Sequence, residues 1–572
     1  MTRTRVAVVA GWIFILVVTG GPTPAATPAG APVPAALAAR STCETLVGLH
    51  IGASDIGLPT AGATLTSAVV VPASPERVEG ARTVLAIPEY CKVLGAIAPV
   101  DPSATTINFQ INLPTAWNRK TIQLGGSGFN GVIPVALTTG MQWGPESIPP
   151  NAPYALSRGF VVYGSDSGHQ SGAPAVGGLP NGWAANAEAL TNFAYAQMKK
   201  THDVTLVVVK RMYGEAPRHR YYMGSSQGGR EALMVAQRFP QDYDGIFSQV
   251  PVLLQLQWDM LEPLLRAQAQ AGDGWIPASK VPLVGKEVLR QCDALDGLAD
   301  GLVSRYLACT ARFDPATSPQ AWSTLRCEGG ADLGDTCFSD AQIRALREIY
   351  AADVFPFQIP RGWEFVPGWP TGGEGAGNWK GLGMRPTPTM NVGMVRTLIT
   401  GRPDTDVLTL NLADYRARVE ELSALLDAGN PDLSAFERRG GKLILKVNST
   451  DYTANPRQSY AYYDKVVKTM GQGKVDGFMR FYVGVGIFHN RNVGRNPLTG
   501  EIVPAFVDFI SMLDDWVDQN KAPMDAPVLS DMELVPPFTV KSSLPMCRYP
   551  RYPHYNNTGD PKQAASYTCQ PN

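Results

Sequence analysis

The segment YYMGSSQGGR at 221–230 restricts the fold of this 572-residue chain more than any other. Two serines stand side by side between glycines. A serine presented on a sharp turn from a strand into a helix needs small residues two positions before and two after it, because a side chain there collides with the neighbouring strand or helix. Around Ser226 those positions are Gly224 and Gly228; around Ser225 they are Met223 and Gln227. The spacing therefore selects Ser226. HRYYM before it reads as a strand, and GGREALMVAQRF after it as a helix. Strands that run into helices in this way build parallel α/β sheets.

Other short runs rich in β-branched and aromatic residues fit the same plan: RKTIQLGG (119–126), GFVVYGSD (159–166), GIFSQVP (245–251), GKLILKVN (441–448) and RFYVGVG (480–486). Helical patterns lie between several of them, at 186–214 as one or two helices and at 227–240 as another. The rhythm breaks between about 253 and 434, where four cysteines, an acidic loop and PGWPTGGEGAGNWKGLG (367–383) occur. That stretch reads as an insertion, a lid over the sheet. The expected plan is residues 1–39 as a signal peptide and small-residue linker, 40–252 and 435–572 as two parts of one α/β domain, and 253–434 as the lid.

A nucleophilic serine needs a base, and the base needs an orienting acid, in the chain order Ser, Asp or Glu, His on this plan. Six histidines are present, and only His489 and His554 follow Ser226 with room for an acid between. His489 comes just after the glycine-rich end of a strand; His554 sits in RYPHYNNTG, read as a polar surface tail. Asp451 lies in the loop after GKLILKVN, whereas Asp464 falls inside the helical pattern PRQSYAYYDKVVKTM. Ser226, Asp451 and His489 are thus the expected triad. The oxyanion of such a site is held by two backbone N–H groups, one from Gln227 directly after the nucleophile. LGGSGFNG (124–131) supplies the second, with Gly126 taken as the donor and Ser127 equally close.

The amino terminus MTRTRVAVVAGWIFILVVTGG has a basic start, an apolar run from Val6 to Thr19 and then small residues suited to cleavage. It reads as an export signal, which places the protein outside the cytoplasm, secreted or periplasmic. No later segment is apolar and long enough to span a bilayer. A formal net charge of −1 gives no electrostatic reason to expect nucleic acid or a charged membrane surface as partner. Eight cysteines follow the signal: Cys43, Cys91, Cys292, Cys309, Cys327, Cys337, Cys547 and Cys569. An even number in an exported chain implies disulfides, and spacing alone allows about 105 connectivities.

YYMGSSQGGREALMVAQRFPQDYDGI, CDALDGLADG, LSAFERRGGKLILKVNSTD and GSDSGHQ together resemble the tannase and feruloyl esterase family, which also contains mono-hydroxyethyl terephthalate hydrolases. The resemblance covers nearly all of the mature chain. It implies an α/β-hydrolase fold with a large inserted lid domain, hydrolysis of carboxylic esters of aromatic acids, and Ser226, Asp451 and His489 as the triad. It also implies the pairing Cys43–Cys91, Cys292–Cys309, Cys327–Cys337 and Cys547–Cys569. The family usually has a further disulfide beside the triad, from the residue before the nucleophile to the residue after the histidine. Here those places hold Ser225 and Asn490, which are expected to face each other and hydrogen-bond.

CDALDGLADGLV (292–303) gathers Asp293, Asp296 and Asp300 in one small loop, with glycines at 297 and 301 for tight turns. Three such carboxylates repel unless a hard cation neutralises them, and calcium suits oxygen ligands in flexible geometry. The family's matching loop implies main-chain carbonyls of Leu298 and Leu302 as further ligands. The expected role is structural, because the loop lies in the lid. SDSGH (165–169), with Asp166 and His169, comes too early for the triad and is read as structural. The lid aromatics Trp258, Trp275, Trp363, Trp369, Trp379, Phe355, Phe357 and Phe365 are candidates to stack on a substrate ring, though each singly is expected to be lid core. Alternatives are a general carboxylesterase or serine peptidase with the same triad, and an inactive calcium-dependent binding protein.

Overall fold

The computed structural model describes residues 42–135, 148–172, 179, 181–360, 363–374, 392–489, 496 and 499–572. The signal segment expected at the amino terminus lies outside them. Among the described residues no helix is long and apolar enough to cross a membrane.

Ten strands form one sheet: β1 (His50–Ile51), β2 (Ala63–Val71), β3 (Tyr90–Ile97), β4 (Ile107–Pro114), β5 (Lys120–Leu124), β6 (Val161–Ser165), β7 (His219–Ser225), β8 (Gly245–Gln249), β9 (Lys442–Asn448) and β10 (Met479–Gly484). Their spatial order is β1-β2-β3-β4-β6-β5-β7-β8-β9-β10. From β6 to β10 every neighbouring pair is parallel, while β1 to β4 and the β4–β6 junction are antiparallel. β5, β6 and β8 are buried at every position, as strands covered by helices on both faces must be. The covering helices include α1 (Gln197–Tyr213), α2 (Gln227–Arg238), α3 (Pro456–Met470) and α4 (Phe509–Gln519). The helical pattern from 186 resolves into a short helix, a π-turn over Asn192–Ala196 and α1.

Between β8 and β9 the lid contributes helices at Val281–Cys292, Tyr306–Phe313, Asp340–Tyr350 and Arg416–Leu426 and a hairpin of Asp353–Ile359 with Trp363–Val366. Its apolar core is continuous with Val250 and Val252 after β8 and with Tyr452 and Ala454 after β9, so it packs on the carboxyl-terminal edge of the sheet. Entry and exit of the insertion are joined. Ala428 N–H donates to Leu253 O at 2.9 Å, and Leu256 N–H donates to the Asp427 carboxylate at 2.9 Å. The fully buried Arg230 of α2 ties this junction to the sheet domain, donating to Leu426 O, to Ala194 O and Phe193 O, and to the Gln227 side chain. Buried donors and acceptors left without partners cost about 1–3 kcal/mol each, which explains why a buried guanidinium surrounded by carbonyls is retained.

The four disulfides are Cys43–Cys91, Cys292–Cys309, Cys327–Cys337 and Cys547–Cys569, as the resemblance implied, and no described cysteine is free. Most lid aromatics are core: Trp258, Trp363, Trp369, Phe355 and Phe357 are buried. Trp275 and Phe365 are exposed, and Trp379 lies outside the described residues.

A lid carboxylate supports the loop that bears the expected acid. Glu374 accepts from Tyr350 OH (2.8 Å) and Gly372 N–H (2.9 Å), and the adjacent Gly373 N–H donates to Tyr452 OH (3.0 Å). Burial pushes the Glu374 carboxyl up to about 7. A carboxyl raised on folding stabilises below its unfolded value and loses that contribution as pH rises through its folded value. Unfolding stability measured in denaturant is therefore expected to fall as pH rises through about 7, and Glu374→Gln is expected to flatten that dependence.

Candidate active site

Ser226 ends β7 and opens α2 with φ 61° and ψ −119°, a region that a residue bearing a side chain rarely enters. Backbone bonds hold it there: Ser226 N–H donates to Gln249 O (2.9 Å), and Ser226 O accepts from Arg230 N–H (3.1 Å) and Val252 N–H (3.2 Å). The glycines around it are sterically required. A Cβ on Gly224 would stand 2.2 Å from Gly228 O, and one on Gly228 would stand 2.7 Å from Gly126 O.

The loops after β9 and β10 bring the two partners to this turn. Ser226 Oγ lies 2.8 Å from His489 Nε2, and His489 Nδ1 lies 2.7 Å from Asp451 Oδ2. The other carboxylate oxygen of Asp451 accepts from Thr453 N–H (2.8 Å) and Ala454 N–H (2.9 Å), which fixes the plane of a fully buried group. Lid aromatics brace the same loop: Trp258 Nε1–H donates to Thr453 O at 2.6 Å, and Trp369 packs on Tyr452 with ring centroids 5.2 Å apart. A lid carboxyl, Asp259, is pushed up to about 7 by desolvation, against an opposing hydrogen bond with Gln255. Nothing in its sequence context singled it out. Asp464 lies in α3 and hydrogen-bonds Tyr549.

The structure corrects two sequence expectations. Gly126 N–H is committed to Glu231 Oε2 at 3.0 Å and so is not a free oxyanion donor. Gln227 N–H is in the first turn of α2, where helical amides have no acceptor within the helix. His554 is not a surface tail residue: it belongs to the strand Tyr552–Tyr555 and packs against Gly297 of the acidic loop. Asn490 lies outside the described residues, so the expected Ser225–Asn490 contact does too.

The acidic loop folds back through left-handed turns at Gly297 (φ 93°) and Gly301 (φ 88°). Asp293 accepts from Gly301 N–H (2.8 Å), Asp296 from Ser304 N–H (3.1 Å) and Asp300 from Leu302 N–H (3.0 Å). No lysine or arginine among the described residues pairs with any of the three. Burial pushes Asp296 up to about 7 and Asp300 up to about 6, and raises Asp293. Leu302 O accepts from Ser304 N–H at 3.1 Å, which leaves that carbonyl a second lone pair. Oxygen-only donors on one buried and two half-buried carboxylates, with no lysine or arginine partner among the described residues, form a set that suits a hard divalent ion. The tightest gathering of ligand-type side chains among the described residues is elsewhere, at His202, Asp203 and Asp242. There Lys199 Nζ already supplies the cation, 2.8 Å from Asp203 and 3.1 Å from Asp242.

The SDSGH motif is a clamp. Asp166 accepts from Asn108 N–H (3.0 Å), Gly168 N–H (3.0 Å) and the Gln170 amide (2.8 Å). His169 stacks on Trp183 at 3.7 Å, with Nε2 2.7 Å from Phe129 O.

The family model for tannase and feruloyl esterase matches residues 91–570. An uncharacterized esterase of Agrobacterium fabrum is 33% identical over 558 residues, covering 93% of each chain. The mono(2-hydroxyethyl) terephthalate hydrolase of Piscinibacter sakaiensis is 29% identical over 591 residues, covering 93% of this chain and 92% of that one. The crystal structure of feruloyl esterase B from Aspergillus oryzae superposes with a TM-score of 0.70 at 21% identity, covering 93% of this chain and 100% of that one. With a family model spanning most of its length and a relative of this similarity along nearly all of it, the chain belongs to the tannase and feruloyl esterase family of ester hydrolases.

Proposed function

We propose that this protein hydrolyses carboxylic esters of aromatic acids, of feruloyl, galloyl or terephthaloyl type, through an acyl-enzyme on Ser226. The observation that carries the mechanism is the unbroken hydrogen-bonded line Ser226 Oγ, His489, Asp451, at 2.8 and 2.7 Å, beneath a lid. The relatives' names support the aromatic acyl group.

In this reading His489 Nε2 takes the Ser226 proton as Oγ attacks the ester carbonyl. Asp451, itself oriented by two backbone amides, holds the proton on His489 Nδ1 and stabilises the imidazolium. The Gln227 N–H and the amino-terminal end of α2 face the oxygen on which negative charge develops. His489 then returns the proton to the leaving alcohol, and a water activated by the same imidazole releases the acid. Ser226→Ala is expected to abolish hydrolysis of aryl esters while circular dichroism remains that of the parent. Asp451→Asn is expected to lower kcat by about 10⁴-fold through loss of the productive tautomer. Near-parental turnover in either variant would exclude this mechanism.

The basic and apolar amino-terminal segment and four disulfides support export to an oxidising compartment. Calcium in the acidic loop belongs to the same proposal: Asp293, Asp296 and Asp300 carboxylates with Leu298 and Leu302 carbonyls would hold it. The ion would neutralise buried charge and fix the loop, which Cys292–Cys309 closes on one side and His554 covers on another. Ligands across a calcium ion from one another stand about 5 Å apart, so the carboxylates need not touch. Treatment with EGTA is expected to lower Tm by about 3–5 °C, with recovery on adding calcium chloride. An unchanged Tm together with calcium-free protein by elemental analysis would refute the site.

A further inference from the structure

The lid carries a groove of about 610 Å³ to which no triad residue contributes. That volume falls in the range of small-ligand sites, about 300–1,000 Å³. Trp275 stands in its wall with 39% of its surface exposed, the only exposed tryptophan among the described residues. A lone exposed apolar side chain needs no explanation by itself. What marks this one is a rigid support and the unspent polar groups around it. The buried Gln342 amide donates to Trp275 O (3.1 Å) and to Asp332 Oδ2 (3.1 Å). Its own oxygen accepts from Lys280 Nζ (2.9 Å) and Ser339 N–H (3.0 Å). Lys280 is buried over the Phe338 ring and donates to Asp332 as well, at 2.8 Å. One buried amide and one buried ammonium therefore join the segment bearing the indole to the 327–337 loop. Cys327–Cys337 closes that loop, and Arg326 holds Asp340 through two hydrogen bonds of 2.5 and 2.8 Å. Ile276, directly after Trp275, is fully buried in the lid core. Protein contacts alone thus hold the groove in shape, which lowers the ordering cost of binding a ligand there.

The exposed groups of the groove are chemically different from its supports. Among the described residues the side chains of Asp273 and Arg344 make no hydrogen bond or ion pair, and Trp275 Nε1–H has no acceptor. Asp332 and Asp340 are already matched by Lys280 and Arg326. What remains is one carboxylate and one guanidinium, with no net charge between them. An anion such as a free aromatic acid therefore finds no excess of positive charge to attract it. One indole is also too small an apolar patch for a protein interface, which buries about 800 Å² on each partner. A flat apolar face flanked by a strong acceptor and a many-proton donor matches a carbohydrate. The C–H face of a pyranose ring lies on the electron-rich face of the indole. Its neighbouring hydroxyls donate to the carboxylate and accept from the guanidinium, both as charge-assisted bonds.

We propose that this groove is a carbohydrate-binding site for uncharged chains of pyranose sugars, with Trp275 as the stacking platform and Asp273 and Arg344 as hydroxyl partners. It is separate from the triad and independent of the ester chemistry proposed for Ser226. The test is isothermal titration of the full protein, with tryptophan fluorescence alongside, using xylohexaose and cellohexaose, neither of which carries an ester. Folding of every variant is checked by circular dichroism. The parent and Ser226→Ala are expected to bind at least one of the two sugars with equal affinity. Trp275→Ala is expected to weaken that binding by at least about 10-fold, and Asp273→Ala and Arg344→Ala by about 5-fold each. If Trp275→Ala fails to fold, Asp273→Ala and Arg344→Ala carry the comparison. A parent protein that binds neither sugar overturns the proposal, as does binding that the folded groove variants leave unchanged. Ferulic acid bound in place of the sugars, and lost in Trp275→Ala, assigns the groove to an aromatic acid and also overturns it. Sugar binding lost in Ser226→Ala traces the ligand to the triad and has the same consequence. Because the probes contain no ester, none of these failures bears on the serine mechanism.

Discussion

Everything at this site depends on how closely three backbones approach one another. Gly224 at the end of β7, Gly228 in the first turn of α2 and Gly125 after β5 meet where no Cβ fits, with clearances of 2.2 to 2.7 Å for an added carbon. That contact accompanies the left-handed conformation of Ser226 and brings the Gly125–Gly131 loop against the start of α2. The strain is tolerated because three backbone hydrogen bonds fix Ser226 and leave it no relaxed alternative. Sterics thus establish the geometry, and electrostatics act on it afterwards.

The parallel half of the sheet was legible because its strands are largely buried and read as short runs rich in β-branched and aromatic residues, several ending in Gly or Asp. All six runs picked out in the sequence are strands within a few residues. The antiparallel half was not picked out. β3, YCKVLGAI, buries alternate residues along much of its length and so lacks a continuous apolar signal. The site divides in the same way. Ser226, Asp451 and His489 follow from chain order and strand ends, which the sequence carries directly. LGGSGFNG was picked out as the oxyanion loop, but the commitment of its Gly126 N–H was not legible, because the acceptor, Glu231, lies 105 residues further along the chain and no local pattern announces it. His554 was misread for a related reason, since a polar tail becomes a packed strand only once Cys547–Cys569 and the acidic loop are in place.

Buried charge is distributed unequally around the site. On the sheet side, Arg230 and Glu231 are adjacent in sequence and fully buried, yet each is satisfied by neutral groups, the cation by carbonyls and the carboxylate by N–H and O–H donors. Such pairing ties side-chain position to main-chain position and so transmits the placement of α2 to the loops around it. On the lid side, Asp296, Asp300, Glu374 and Asp259 are all raised by burial.

The junction of Leu253 with Ala428 closes the chain's entry to the lid on its exit. A polypeptide of some 170 residues leaves the sheet and returns to it through one hydrogen-bonded doorway, so from the viewpoint of β8 and β9 it is equivalent to a tight turn. The entropy of closing that long excursion is met inside the lid's own packing rather than by the strands. Length and composition of the excursion can therefore drift over generations while the doorway stays the same width, and the reaction centre can be inherited intact beneath successive, differently shaped roofs.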